Sequence, residues 1–239
     1  MSRWQTMKLP APLKRRYGGV SPEERQQLRR DKLIQAGIEK FGTQGYHATT
    51  VRDICTAAKL TERYFYESFN SMADLFAAVY ADLTRRLKQR ALDALAASPL
   101  KPELLAQAAL RAFYEFMREE PSLARICLID AVSINRDMQR LGKEAAAEYS
   151  AVVRGFIKLL YKDEGLEGVN LDFLSAGLIG MNTHIATAWA SEGYATPIDQ
   201  VIATNLLAYQ ALIALMKKDE RKADLPNGEP GADARLQAA

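Results

Sequence analysis

Histidine and cysteine are scarce in this chain. Only His47, His184, Cys55 and Cys127 occur in 239 residues. They lie in separate segments without a C-x-x-C pair, too few and too scattered for a His- or Cys-rich metal site. The E-x-x-H pair of di-iron helical bundles is missing, as are G-x-S-x-G, a P-loop and a dinucleotide fingerprint. No catalytic residue, metal or cofactor is therefore expected, and the chain does not read as an enzyme. Two isolated thiols fit a reduced, cytoplasmic protein with both cysteines buried. The first ten residues lack an apolar core behind a basic region, which argues against secretion. Period-two alternation is absent, so the chain is expected to be all-α. Phe173 to Ser191 carries no formal charge over a length that can span a bilayer. Ser175, Asn182, Thr183, His184 and Thr187 interrupt it, however, and polar groups are costly in lipid, so a buried helix with no membrane contact is the better reading.

Charge is present but divided. Met1 to Arg90 holds 17 Lys and Arg against 9 Asp and Glu, and the remainder holds 15 against 20. A basic first third followed by an acidic remainder places a polyanionic partner at the N-terminal end.

Residues 1–20 contain Pro and Gly and are basic at Lys14, Arg15 and Arg16, which reads as a flexible arm able to follow a DNA backbone. Ser21, Pro22 and Glu24 form a capping box with Pro at the first helical position. The helix they open is expected to reach about Phe41 and to be stopped by Gly42 and Gly45. Its apolar face is Leu33, Ile34, Gly37, Ile38 and Phe41, and Tyr46 reads as an aromatic plug behind it. A compact domain is expected over 21–70 and a larger helical one over 71–218, of which 71–97 is a connecting helix opened by a capping box at Ser71 and Asp74. Further helices are expected at about 103–119, 122–134, 137–161, 172–192 and 198–218, punctuated by Pro121, Gly165, Gly168, Gly193 and Pro197. Residues 219–239 are polar with Pro and Gly and read as a disordered tail.

The stretch from Thr50 to Leu75 carries the most information. Thr50 can cap a helix at Val51 with Asp53 reaching back to the capping amide, and that helix buries Val51, Ile54 and Ala58. After a break at Lys59 and Leu60, Thr61 is placed to cap a second helix in which Phe65 and Phe69 repeat at i, i+4. Its exposed face offers Glu62, Arg63, Tyr64, Tyr66 and Ser68. A guanidinium can read guanine bidentately, and hydroxyls can hold phosphates.

At these residues the chain resembles the TetR family of bacterial transcriptional regulators. Ala58 stands before the turn, Thr61 is the cap, Tyr66 to Phe69 form the Tyr-x-x-Phe element, and Ser71 to Leu75 open the next helix. The resemblance covers about 28–80. Lys59 stands where the family usually has Gly, so a non-Gly residue is expected at positive φ. Met72 replaces a phosphate-contacting Lys. The resemblance implies an N-terminal three-helix helix-turn-helix domain and a C-terminal helical domain for effector binding and dimerisation. Double-stranded DNA would be held by Thr50, Arg52, Thr61, Glu62, Arg63, Tyr64, Tyr66 and Ser68, with Lys14, Arg15 and Arg16 from the arm. His47 reads as a surface or phosphate-side residue. The resemblance also implies a homodimer through the helices at 172–192 and 198–218. The first has small residues at Ala176, Gly177, Gly180, Ala186 and Ala190. The second is apolar nearly all round, with Leu206, Leu207, Leu212, Ile213, Leu215 and Met216.

The middle of the chain carries Phe113, Tyr114, Phe116, Met117, Cys127 and Ile129, with Arg125 and Asn135 as isolated polar groups. The resemblance implies an effector pocket there. Phe113, Phe116, Met117 and Trp189 would hold an apolar small molecule oriented by Asn182 or His184. The expected function is a repressor on an inverted-repeat operator, released by that ligand. Two alternatives stay open: a helical enzyme or small-molecule carrier using the C-terminal cavity, and a DNA-binding module whose core is filled and takes no effector.

Overall fold

The computed structural model describes residues 21–130, 134, 136–161 and 168–223, and these are helical with no strand among the described residues. The expectations for Lys14, Arg15 and Arg16, for Asn135 and for the tail beyond Ala223 lie outside the described residues, as do the side chains of Ile129 and Met216.

Helix α1 (Pro22–Gln44) begins at the expected capping box, Ser21 accepting from the Glu24 amide at 3.0 Å while its own amide donates to the Glu24 carboxylate at 2.6 Å. It runs three residues past Phe41, because Gly42 does not stop it. Gly42 is a close-approach position, where a Cβ would lie 2.1 Å from the Ser122 hydroxyl. The stop is Gly45, at φ 85°. Helix α2 (Val51–Ala58) has the reciprocal Thr50/Asp53 box and ends on Lys59 in the left-handed region at φ 55°, ψ 44°. Only Gly visits that region without steric cost, so a modest strain is held at the turn. Helix α3 (Glu62–Ser68) follows, and here Thr61 makes no side-chain cap. Helix α4 (Met72–Ala97) is capped by Ser71 from the Asp74 amide, but Asp74 accepts from Asn70, so its box is half formed.

Helix α5 (Pro102–Glu119) leads into a change of winding. One expected helix at 122–134 is instead a short turn, α6 (Pro121–Leu123), running into a π-helical segment, π1 (Ala124–Asp130). Single-turn π segments recur at functional positions. Three long helices complete the chain: α7 (Arg136–Tyr161), α8 (Leu171–Ser191) and α9 (Ile198–Ala223), the last continuing five residues beyond the expected stop at Lys218.

Helix α4 joins the two parts. Leu75, Phe76 and Val79 are fully buried against Phe41 and Tyr46, and Leu83 and Leu87 continue the same stripe into the second part. Tyr46 packs edge-on against Phe76 at 5.3 Å, the plug role expected of it. Ionic contacts hold α4 to α5, through Arg86 with Glu120 and Arg90 with Glu115 and Glu119. Helix α9 is not apolar all round in effect. Ile213 is buried, Leu206 packs on the core, Leu212 borders a cavity, and Leu207 and Leu215 are each 64% exposed. Ile198–Leu215 is long and apolar enough to cross a membrane by length and composition, and most of that stretch is uncovered in the single chain.

Candidate DNA-binding face and effector cavity

The helix-turn-helix face is built on buried aromatics. Phe65 and Phe69 anchor α3 from beneath, at 0% and 3% exposure, leaving the opposite side free. Arg63 projects with 83% of its side chain exposed and is held by Glu67, Nε to carboxylate 2.9 Å. Tyr66 is 57% exposed. Arg52, Thr61 and Glu62 are exposed as well. Three expected contacts are modified by neighbours. Tyr64 is half-buried beneath the Arg29 guanidinium, 4.5 Å from its ring. Ser68 is half-buried, and its carbonyl accepts from Arg30 Nη1 at 2.7 Å. The Thr50 hydroxyl donates to Asp53 at 2.7 Å, so it reaches a phosphate only by exchanging that bond. The same bond and the Thr50 amide hold the Asp53 carboxyl below its ordinary range. The contacts that Arg29, Arg30 and Glu67 make here were not anticipated. Their spacing on α1 and α3 offers no signal until the two helices pack.

The second part holds a cavity of about 970 Å³, partly open to solvent, between α4, α5, π1, α7, α8 and α9. This lies at the upper end of ordinary small-molecule sites. Phe113, Met117, Asn182 and His184 are on its wall, as expected. Phe116 and Trp189 are not. Phe116 is buried on the α4 side, with the Arg90 guanidinium 5.8 Å from its ring. Trp189 is buried against Tyr114 and Tyr194, its indole N–H donating to the Thr196 carbonyl at 2.8 Å. A helical period puts aromatics on several faces, and only packing decides which face meets the void. The wall also includes Tyr80, Thr84, Cys127, Tyr149 and Tyr209. Cys55 is buried, whereas Cys127 is half-buried at the cavity wall, and burial raises both thiols above their ordinary range. One polar cluster stiffens the α8–α9 side. Asn205 donates to the Tyr114 hydroxyl at 2.7 Å and to Asn182 at 2.8 Å, and Asn182 in turn donates to Tyr209 at 2.9 Å. Across the α4–α7 seam, the Tyr149 hydroxyl donates to the Thr84 carbonyl at 2.8 Å, and Lys88 pairs with Glu148 at 2.8 Å. Among the described residues no cluster of three metal-ligating side chains occurs.

Cavity and reading head meet at π1. Arg125 donates to the Thr43 carbonyl at 3.0 Å, and Asp130 accepts from the Tyr46 amide at 3.2 Å. A Cβ on Gly45 would stand 2.5 Å from Arg125 Nη2, so glycine serves both the backbone angle and this contact. Arg125 is thus not an isolated polar group of a pocket. Its neighbours Leu123, Cys127 and Leu128 line the cavity, while it grips the loop before α2.

A capped helix-turn-helix is thus joined by one long helix to an all-helical half with a cavity. The profile of bacterial regulatory proteins, tetR family, matches residues 33–79, from the middle of α1 into α4. Over 193 residues the chain is 25% identical to the HTH-type transcriptional activator FasR of Mycolicibacterium smegmatis, a match covering 81% of this chain and 84% of that protein. It is 24% identical over 187 residues to the HTH-type transcriptional regulator YdgC of Bacillus subtilis, covering 77% and 92% respectively. Among solved structures, the fatty acid degradation regulator FadR of Bacillus halodurans superposes with a TM-score of 0.66 at 13% identity, covering 76% of this chain and 94% of that one. FadR of Bacillus subtilis in complex with stearoyl-CoA gives 0.66 at 14% identity, covering 75% and 96%. Residues 33–79 thus carry the tetR-family pattern, and the relatives that the chain is similar to are transcriptional regulators rather than enzymes.

Proposed function

We propose that this regulator binds an inverted-repeat operator as a homodimer in the cytoplasm and acts as a repressor, released when a largely apolar small molecule fills the cavity. The observation that carries the effector is the 970 Å³ void itself, walled mainly by hydrocarbon from α4, α5, α7 and α8. A module without an effector has no reason to keep such a space, because a void forfeits packing contacts that a filled core retains. That one structural neighbour holds stearoyl-CoA makes a long acyl chain the first candidate.

Dimerisation is supported by apolar surface that the single chain leaves open on α8 and α9. Phe173, Leu207 and Leu215 are 79%, 64% and 64% exposed, and Gly177 has free space above it. A two-fold pairing of this face buries it and sets the spacing of the two α3 helices, so the operator mirrors the protein's symmetry.

Base contacts fall to Arg63 and Tyr64. Thr50, Arg52, Thr61 and Tyr66 hold phosphates at the helix ends, and Lys14, Arg15 and Arg16 follow the backbone. Coupling runs from the cavity through α4, by a tilt that alters the distance between recognition helices, and is worth about 1–3 kcal/mol in such systems. By linkage, operator and ligand must weaken one another by the same factor. Palmitoyl-CoA titrated calorimetrically into free protein, and into protein saturated with a duplex selected from a random pool, tests this. Weaker binding to the DNA complex supports release, tighter binding makes the ligand a co-repressor or activator signal, and equal constants remove the effector role.

A further inference from the structure

The cavity is long and its two ends differ in chemistry. Along α4 its wall extends from Tyr80 to Leu95, and along α7 from Gln139 to Ile157. At 1.5 Å rise per residue these are roughly 22 and 27 Å, far longer than a compact ligand needs. At one end, Ile157 of α7 and Ile213 of α9 are buried together, with Val153, Leu174 and Leu212 packed on them. Arg154 pairs with Asp172 there, fastening the late part of α7 to the beginning of α8. The two helices therefore run antiparallel. The wall at this end is hydrocarbon: Val153, Phe156, Ile157, Leu178 and Ile213.

The antiparallel pairing brings the first third of α7 opposite the second half of α8. The wall there carries Gln139, Lys143, Thr183, His184 and Thr187. Lys143 is the one formally charged side chain on the wall among the described residues, and no carboxylate stands on it. Arg140 pairs with Glu144 and Lys88 with Glu148, whereas Lys143 makes no ion pair among the described residues. It is exposed, so its ammonium stays hydrated while its stem borders the void.

We infer that the effector is an elongated amphiphile whose anionic head pairs with Lys143 and whose unbranched tail lies along α7 toward Phe156 and Ile157. This rests on the reading of the cavity as an effector site and adds to the long acyl chain a negative head, the residue that holds it and the direction in which the tail lies. Two sources share that chemistry, a free carboxylate and a phosphate-bearing acyl thioester. A short, compact or cationic ligand would leave either the hydrocarbon end empty or the ammonium opposed.

Full-length protein is titrated with palmitate, palmitoyl-CoA and neutral methyl palmitate, by displacement of a fluorescent fatty acid, for the wild type, Lys143→Ala, Lys143→Arg and Ile157→Trp. Lys143→Ala is expected to weaken an anionic ligand about tenfold, as loss of one charge-assisted contact does, with methyl palmitate unchanged and Lys143→Arg restoring binding. Loss for palmitate identifies the carboxylate as the source, and loss for palmitoyl-CoA alone identifies the phosphate-bearing head. Ile157→Trp, by filling the hydrocarbon end, is expected to shift preference toward shorter acyl chains. Equal losses on charged and neutral ligands, or none on any, overturn the head assignment while leaving the effector reading intact. A wild type that binds none of the three overturns both.

Discussion

Around Phe65, side chains from α1, α2, α3 and α4 close on one another until Leu33, Phe41, Ile54, Phe65, Leu75 and Phe76 have no exposure at all. Around Tyr149, α4, α5, π1, α7, α8 and α9 stand apart and leave a cavity of about 970 Å³. Both regions belong to one apolar cluster continuous through α4. The difference is therefore not in hydrophobicity but in how tightly the same kind of surface is closed. On the proposed function the helix-turn-helix presents Arg63 and Tyr66 in fixed register to DNA, and a filled core holds helices to a single geometry. On the proposed function the second half changes with its ligand, and a partly empty core keeps alternative packings close in energy.

The largest effect is expected where the second half is incomplete by itself. Leu207→Glu costs the single chain little, since the residue is already exposed, but in the proposed dimer it buries a charge twice, at several kcal/mol for each ion. Sedimentation is expected to show monomers and footprinting to show no protection. A dimeric, DNA-binding Leu207→Glu would move the interface elsewhere. Leu212, by contrast, borders the cavity, so a charge there probes the ligand site and not the interface.

Truncation separates the two cores directly. Phe65→Ala is expected to lose about 3–5 kcal/mol in urea unfolding, as complete aromatic deletions do. Phe113→Ala, whose ring already faces the void, is expected to lose less than half of that. Equal losses would mean that the cavity closes in solution and the contrast is not real.

Arg63→Ala is expected to cost about 1–3 kcal/mol on a specific duplex and much less on a scrambled one, with preference relaxed at one base pair per half-site. Tyr66→Phe is expected to weaken both alike. Equal losses for Arg63→Ala on the two duplexes would end its base-reading role.

Arg125→Ala tests the bridge between the regions. Removing its bond to the Thr43 carbonyl is expected to cost about 1 kcal/mol of stability. It is also expected to reduce the factor by which ligand and operator weaken one another. An unchanged factor would leave α4 as the whole of the coupling path. The smallest effect is at the turn. Lys59→Gly relieves a left-handed non-Gly residue against a larger unfolded-state entropy, for a net gain of less than about 1 kcal/mol. Thermal melts resolve that shift, and a loss would mean the Lys59 side chain contributes a contact of its own.

Legibility in the sequence followed the range of the interaction. The boxes at Ser21 and Thr50, the left-handed Lys59, the aromatic pair Phe65 and Phe69, and the helix boundaries to within a few residues were readable, because each depends on residues three or four apart. Where a long-range neighbour intervened, reading failed. Gly42 looks like a stop by itself, and only Ser122 packed against it explains its presence inside α1. Local propensity over 122–134 is helical, but the chain winds there as α6 and π1, with Arg125 bonded to the end of α1 and Asp130 to the loop after it. Phe116 and Trp189 have the composition of pocket residues and lie outside it.

The amino-acid order by itself determined an all-helical chain, a basic N-terminal third and the exposed face of α3, since capping, periodicity and charge act along one helix at a time. Only the tertiary structure decided that the second half is hollow, which aromatics border the hollow, that Lys143 stands alone on its wall, and that π1 grips the reading head. Those facts depend on the distance between helices, and that distance is set by the side chains of all of them together.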